Sequence, residues 1–228
     1  EINILYEGIT MNLKDYKNLY HMYRKCINKL RIPFFVCLIL FILAFATFWI
    51  DDFPFTLTLI MMAMVFPAIM FGILWPIFAA RSKKCLKAFY PQQLSSIDAQ
   101  IPSAAVCEGL LVTSQAVICK KAGLTLIPMA NVLWVYPEVT VVRLNGIIPI
   151  HKYTLLHFAG RDKKRYAFNI KNSQKAYDFV QSELLRYRQD IVFGTEYGMN
   201  DIYKNDLNRM IAFSQECAIK RQKGHNAP

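Results

Sequence analysis

Two long apolar runs dominate the first third of the chain. Residues 32–50 include no charged residue, and after a short polar break residues 53–80 include none either. At about 1.5 Å of rise per helical residue the first run spans roughly 28 Å, which matches the hydrocarbon core of a bilayer. The second run is long enough to span with some tilt. The pattern predicts a transmembrane hairpin over 32–80, with spans at 32–50 and 55–80.

A signal peptide and a pair of buried soluble helices both fit these runs poorly. A signal peptide has an apolar region of about 7 to 15 residues, whereas the first run is longer and a second one follows it at once. Two charge-free runs of this length are also unusual for the buried helices of a water-soluble protein. Neither run contains an acid, a base or a histidine, the residues that usually line a transport pathway. The hairpin is therefore predicted to be an anchor.

Ahead of the first span, apolar and aromatic residues recur every three or four positions. They are Leu13, Tyr16, Tyr20, Tyr23, Cys26 and Ile27. This spacing predicts an amphipathic helix over 11–30, within a cytoplasmic N-terminal segment at 1–31. Two roles stay open for it. It lies along anionic lipid, or it simply continues the first span as a helix with a solvated face.

The period of the apolar pattern changes after Pro91 to alternation and short β-branched runs. These runs are 109–113, 116–119, 124–127, 132–136, 139–142, 147–148, 153–158 and 165–170. They predict about seven antiparallel strands with local connections. Asn145-Gly146 between two of the runs is typical of a two-residue hairpin turn.

Helical spacing returns at the C-terminal end of the chain. Asn172 or Ser173 can cap a helix that runs through Gln189, and Asn200 can cap a last amphipathic helix with a frayed tail at 220–228. The predicted class is an α+β membrane protein in which a transmembrane hairpin precedes an antiparallel β domain closed by a helix. The predicted segments after the hairpin are a basic juxtamembrane linker at 81–99, the β domain at 100–190, and a C-terminal helix and tail at 191–228.

The net charge of +11 is concentrated beside the hairpin. Ten basic residues lie in 11–31 and 81–90, whereas Asp51 and Asp52 are the charges of the connection. Lys and Arg stay on the cytoplasmic side, so we expect a multi-pass protein of the cell membrane with both termini cytoplasmic. Such local charge does not indicate nucleic-acid binding. The residues predicted to lie at the membrane interface are Trp49, Trp75, Arg81, Lys83 and Lys84.

Residues that could carry chemistry are few and scattered. The six cysteines form no CxxC pair, which argues against a zinc site or a disulfide framework and favours a reducing compartment. His151 and His157 have no acid at a suitable spacing, and Ser95-Ser96-Ile97-Asp98 lacks a nucleophile elbow. There is no glycine-rich phosphate loop. We expect neither catalysis nor a cofactor.

One basic cluster suggests a ligand. Arg161, Lys163, Lys164 and Arg165 crowd a predicted hairpin tip, opposed only by Asp162. Several cations on one loop can contact anionic lipid headgroups, each contributing on the order of 1 kcal/mol near a charged surface. The alternative is an ordinary solvated turn that keeps the hairpin soluble.

The strings LLVTSQAVICKK, LIPMANVLWVY and YTLLHFAGRDKKRYAF, followed by a helix, resemble a bacterial pleckstrin-homology-like domain. Placed after a two-span hairpin, this domain is similar to the YcxB-like group of bacterial membrane proteins. The resemblance implies a non-catalytic binding or scaffold module that presents loops and a strand edge. The helix beyond Gly198 lies outside that pattern, either as a cap on the sheet or as a partner-binding element.

The expected function is that of a membrane-anchored cytoplasmic module. Its expected partners are the lipid bilayer, anionic lipid headgroups and a protein or peptide. The alternative is an accessory subunit of a transporter, which would need partner helices to cover Pro67, Gly72 and Pro76, or a membrane enzyme with an unrecognised site.

Overall fold

The computed structural model describes residues 3–6, 9–47, 55–120, 123–145, 147–171, 173–195 and 198–225. The predicted hairpin connection with Asp51 and Asp52, and Trp49, Gly146 and Asn172, lie outside these ranges. The chain divides into two compact units. The first comprises Glu1–Pro91 with Ala122–Thr125, and the second comprises Gln92–Lys121 with Leu126–Pro228. Helices and antiparallel strands are both present, which confirms the predicted α+β class.

The first unit begins with a short hairpin rather than a helix. Strands β1 (Asn3–Tyr6) and β2 (Ile9–Asn12) pair in antiparallel register, and a 3-10 turn follows at Leu13–Asp15. Helix α1 then covers Lys17–Thr47. The helix predicted over 11–30 therefore starts six residues later than expected, because Met11 pairs with Ile4 across the hairpin.

Two long apolar helices make up most of the first unit. Helix α1 passes through Pro33 without ending, and helix α2 covers Phe55–Leu86 and contains Pro67 and Pro76. Within the described residues, Lys17–Leu43 and Val65–Leu86 each contain an 18-residue window of high mean hydropathy, 2.1 and 1.5 respectively, so by length and composition alone both can cross a membrane. Their large apolar side chains are mostly exposed rather than packed in a core, for example Ile39, Leu43, Phe66 and Ile73.

The two long helices approach each other closely at Gly72. A Cβ added to this glycine would lie 3.0 Å from Cε2 of Phe34, which is tighter than ordinary van der Waals contact. Gly72 therefore makes room for an aromatic ring of the neighbouring helix α1, as small residues do in packed membrane helices.

The second unit contains two four-stranded sheets and four helices among its described residues. Its elements are α3 (Pro91–Gln100), β3 (Val106–Cys107), β4 (Leu110–Val112), β5 (Ala116–Cys119), β6 (Thr125–Pro128), β7 (Val132–Leu144), β8 (Ile148–Gly160), β9 (Arg165–Ile170), α4 (Ser173–Tyr187), β10 (Val192–Phe193), α5 (Met199–Asn205) and α6 (Leu207–His225). Their strand orders are β3-β4-β5-β6 and β10-β7-β8-β9. Helices α2 and α3 cover most of the predicted linker 81–99.

The second sheet differs from the sequence prediction in three respects. The runs 132–136 and 139–142 belong to the single strand β7, and Ile148 and the run 153–158 belong to the single strand β8, whereas Ile147 lies in the connection. Leu144 pairs with Ile148, so the connection has three residues rather than two. Strand β10 was not predicted, and it pairs with β7 in parallel at Trp134 and Val135.

One apolar core joins the two sheets and helix α4. It includes Leu110 and Val117 from the first sheet, Val135 and Phe158 from the second, and Ala176, Val180 and Leu184 of α4. The last three are spaced by four, so they lie on one face of the helix. The predicted closing helix is thus present, although it ends at Tyr187 rather than Gln189.

Helices α5 and α6 cover the opposite face of the second sheet. Met199, Tyr203 and Met210 pack with Trp134 and Tyr136 of β7 in a second apolar cluster. The predicted single last helix is interrupted at Asp206, whose Oδ1 accepts a hydrogen bond from the Arg209 N–H at 3.0 Å and so caps α6. Helix α6 continues to His225, well into the tail that was expected to fray. The C-terminal helices are therefore a cap on the sheet.

Candidate functional site

The predicted basic loop lies between β8 and β9, and the domain itself binds part of it. Nη2 of Arg161 donates to Oδ2 of Asp190 at 2.7 Å, and both side chains are partly buried. Arg188 also binds Asp190, and it donates to the carbonyl oxygens of Met129 and Val132. Burial raises the pKa of Asp190, but the hydrogen bonds and charge of Arg188 more than offset this, so the pKa lies below its ordinary value. Arg161 is therefore part of an internal ionic network.

Arg165 is also held by its own domain. Its guanidinium lies 4.7 Å from the centre of the Tyr203 ring, and its Nη2 donates to Oδ1 of Asn200 at 2.7 Å. The Tyr203 hydroxyl in turn donates to the Gly160 carbonyl at 2.8 Å. Arg165 thus helps attach α5 to the β8–β9 turn.

The two lysines of this loop are exposed, as Arg165 is. Lys163 is exposed with a φ of 61°, and the Lys164 side chain is 67% exposed. Nζ of Lys164 lies 2.8 Å from Oδ2 of Asp162. Burial raises the pKa of Asp162, but hydrogen bonds from Lys164 and Asn131 outweigh burial and bring the pKa below its ordinary value. Of the four predicted cations, Lys163, Lys164 and Arg165 are exposed, Lys164 lies beside an ionised carboxylate, and Arg161 is partly buried.

The predicted interface residue Trp75 lies between aromatic and cationic neighbours. Its ring lies 6.3 Å from that of Phe34 and 6.4 Å from that of Phe35, and the Arg31 guanidinium lies 5.3 Å from its centre. Trp75 thus packs between the two long helices.

The predicted cations near the end of α2 differ in how far their side chains are exposed. Arg81 and Lys84 are exposed. Lys83 is half-buried and lines a cleft of about 430 Å³ with Arg31 and Trp75.

A row of rings on the second sheet was not predicted. Trp134 stacks on Tyr136 with centres 4.0 Å apart, and Tyr136 stacks on His157 at 4.8 Å and nearly parallel. Oε2 of Glu138 lies 2.9 Å from Nε2 of His157, but off the direction in which this nitrogen would form a hydrogen bond. Trp134, Tyr136 and Glu138 alternate along β7 and so share a face, which the sequence did signal. His157 lies opposite Tyr136 only because of the register between β7 and β8, which the local sequence does not show.

The charge state of His157 is set by its surroundings. Burial lowers its pKa, Glu138 raises it, and the nearby Arg165 lowers it again, so that the pKa lies below the ordinary 6.5. The imidazole is therefore neutral at pH 7. A neutral ring that lies between Tyr136 and the Glu138 carboxylate would pack differently once it is protonated.

The outer part of the β7–β8 hairpin, residues 139–153, forms what we call the hairpin arm. Strand β9 pairs with β8 only from Thr154 onward, and β10 pairs with β7 only at Trp134 and Val135. The arm is therefore a two-stranded ribbon. Its exposed large apolar residues are Val139 at 54%, Val141 at 41%, Val142 at 42%, Ile147 at 78% and Ile150 at 60%. Contiguous exposed apolar surface is typical of interaction sites, so the arm is a candidate for one. The sequence pattern does not reveal it, because that pattern divides the arm into separate short strands.

A polar cleft of about 400 Å³ lies between the end of α3, strand β4 and α4. The Gln100 side chain donates to Ser114 Oγ at 2.8 Å and accepts from the Ser114 N–H at 2.9 Å. Arg186 pairs with Glu183 at 3.1 Å. These polar groups already bind one another, so the cleft is less suited to a ligand than the arm.

Metal and redox chemistry have no candidate site in the described part of the chain. No three His, Cys, Asp or Glu residues of the described ranges are close enough together to hold a metal ion. All six cysteines lie in those ranges and form no disulfide bond.

No family model, curated protein or solved structure matches this chain. The surfaces described above are therefore the basis for a function.

Proposed function

We propose that this chain is a bacterial membrane-anchored binding module without catalytic activity. In this proposal α1 and α2 cross the membrane, and the second unit is a pleckstrin-homology-like domain on the cytoplasmic side. The domain binds its ligand through the ends and edges of its strands.

The order of elements around one core is the observation that carries this proposal. Strands β3 to β6 form one sheet, β7 to β9 follow in a second, and α4 completes the core that both sheets share. Two successive antiparallel sheets closed by a helix are what a pleckstrin-homology-like domain requires. Strand β10 and helices α5 and α6 are additions to that plan.

The character of α1 and α2 supports the anchor. Neither helix contains an acidic residue, and their basic residues lie at the ends that face away from the connection. Cations stay on the cytoplasmic side of a membrane, so both termini are expected there. The exposed apolar side chains of both helices would be stabilised by lipid.

The alternative of an accessory transporter subunit is less well supported. It needs partner helices to cover Pro67, Gly72 and Pro76, but Gly72 already faces Phe34 within the same helix pair. A membrane enzyme would need convergent titratable groups. Of the described pair His157 and Glu138, the imidazole is stacked against Tyr136.

Reporter fusions test the anchor and its orientation. We expect a reporter placed after Lys87 or at the C-terminus to report a cytoplasmic location, and one placed at Asp52 to report the outside. The protein should also stay in the membrane fraction after extraction at alkaline pH. A periplasmic signal from the C-terminal fusion, or release by alkali, would contradict the proposal.

A further inference from the structure

The hairpin arm combines exposed apolar residues with cations. Ile147 lies at its turn and is 78% exposed, and Ile150, level with Val142 and Arg143, is 60% exposed. Between Val139 and Tyr153 the sequence contains Arg143 and Lys152 but no acid. An exposed apolar turn with Arg and Lys behind it is the composition of a segment that enters the boundary of an anionic bilayer.

The spacing along the strands fits this arrangement. Arg143 is two residues from Asn145 at the turn, and Lys152 lies opposite Val141, which is four residues from Asn145. At about 3.3 Å per residue these two backbone positions lie roughly 7 and 13 Å behind the turn. An interfacial segment is buried by about 5 to 10 Å, so the cations would lie near headgroup phosphates when the tip is inserted.

The basic loop between β8 and β9 is a poorer lipid contact than the arm. It lies at the other end of β8, which has 13 residues and therefore measures about 40 Å. An upright β8 brings only one of these two turns to a membrane surface. Two of the four cations of the basic loop are already bound, by Asp190 and by Tyr203 with Asn200.

We infer that the tip of the hairpin arm inserts into the surface of the bilayer that the chain is anchored in, with anionic phospholipid as its ligand. This inference rests on the proposed membrane anchor. A second copy of the chain is a weaker occupant, because each arm carries Arg143 and Lys152 and no acid, so two arms offer each other no opposite charge. Pro149 on β8 also lacks the N–H that edge-to-edge strand pairing needs.

Tryptophan quenching in vesicles tests the inference on the full chain. The protein is reconstituted into phosphatidylcholine vesicles with and without phosphatidylglycerol. The acyl chains of these lipids carry bromine, which quenches tryptophan fluorescence. Ile147→Trp should show a blue-shifted emission and added quenching over the parent protein. Lys163→Trp, at the other end of β8, is the matched control and should show neither. A quenched Lys163→Trp with an unquenched Ile147→Trp would overturn the inference.

Removal of positive charges from the arm tests whether anionic phospholipid is its ligand. In the Ile147→Trp background, Arg143→Gln with Lys152→Gln should abolish the extra quenching that phosphatidylglycerol gives. Lys163→Gln with Lys164→Gln removes the same charge from the basic loop and should leave that quenching unchanged. Equal losses in the two double variants would overturn the inference.

Two further readouts separate the possible failures. The parent protein, whose hairpin contains Trp75, should itself be partly quenched, and a parent without any quenching would contradict the membrane anchor itself. A blue-shifted but unquenched Ile147→Trp would mean that protein covers the tip, which would overturn the lipid assignment while leaving the anchor in place.

Discussion

Tyr203 is the residue through which α5 and α6 are most directly attached to the second sheet. Its hydroxyl donates to the Gly160 carbonyl, its ring contacts Trp134 with centres 6.0 Å apart, and Arg165 lies above it. Tyr203→Phe removes only the hydroxyl. The Gly160 carbonyl keeps its hydrogen bond from the Lys163 N–H at 3.1 Å, so the expected cost is about 0.5–1.5 kcal/mol.

Tyr203→Ala also removes a ring that is 2% exposed. Deletion of a buried aromatic side chain costs about 3–5 kcal/mol, because the cavity that remains adds to the lost apolar burial. We therefore expect the alanine variant to open the contact between α6 and the sheet, and the phenylalanine variant to keep it.

Amide hydrogen exchange on the full chain measures this difference. A protein with two units and long apolar helices does not unfold in one transition, whereas exchange reports the opening of each region separately. Protection of α6 and β8 amides should fall about 100-fold or more in Tyr203→Ala and about 5-fold in Tyr203→Phe. Tyr187→Ala, in an exposed position of α4, is the matched control. Equal losses in the two alanine variants would refute this packing of Tyr203.

Two further predictions concern titratable groups. Asp190→Asn leaves Arg161 and Arg188 without their carboxylate and should destabilise the second unit by about 2 kcal/mol, below the value for a fully buried pair because Asp190 is 26% exposed. The lowered pKa of Asp190 also means that this stabilisation is lost as the pH falls below the unfolded value of 3.8, a loss that the exchange protection of second-unit amides should show in the parent but not in the variant. His157 has a lowered pKa, so the unfolded state takes up the proton first and stability falls as the pH drops below 6.5. Amide exchange of the second unit between pH 7 and 5 should show this fall in the parent and in the exposed-site control His151→Gln. The same fall in His157→Gln would contradict the assignment.

The elements that sequence reasoning finds are those that local periodicity determines. The charge-free runs of α1 and α2, the apolar spacing of α4 and the β-branched runs of the sheets depend on neighbours within one turn or one strand. Pro137 and Glu138, by contrast, look like a break between two strands. Strand β7 continues through them, because Pro137 pairs with Leu156 at a position where β10 no longer needs its N–H.

The candidate surfaces are harder to predict because they depend on register and on distant partners. Arg161 looks available for lipid in the sequence, but its carboxylate partner Asp190 lies 29 residues further on. The stacking of His157 on Tyr136 likewise requires the pairing of β7 with β8. Nothing in the local sequence of the loop distinguishes a cation held by its own domain from one directed to solvent.

Strand β10 carries the chain from one side of the second sheet to the other. Helix α4 before it belongs to the core between the sheets, and helices α5 and α6 after it cover the outer face near Trp134. Because helices cover both faces of the sheet there, neither face is open to a ligand, and the ends and edges of its strands are the surfaces left for recognition. Among the described residues the hairpin arm contributes to neither apolar cluster, so its sequence can vary without disturbing the packing that holds the domain together.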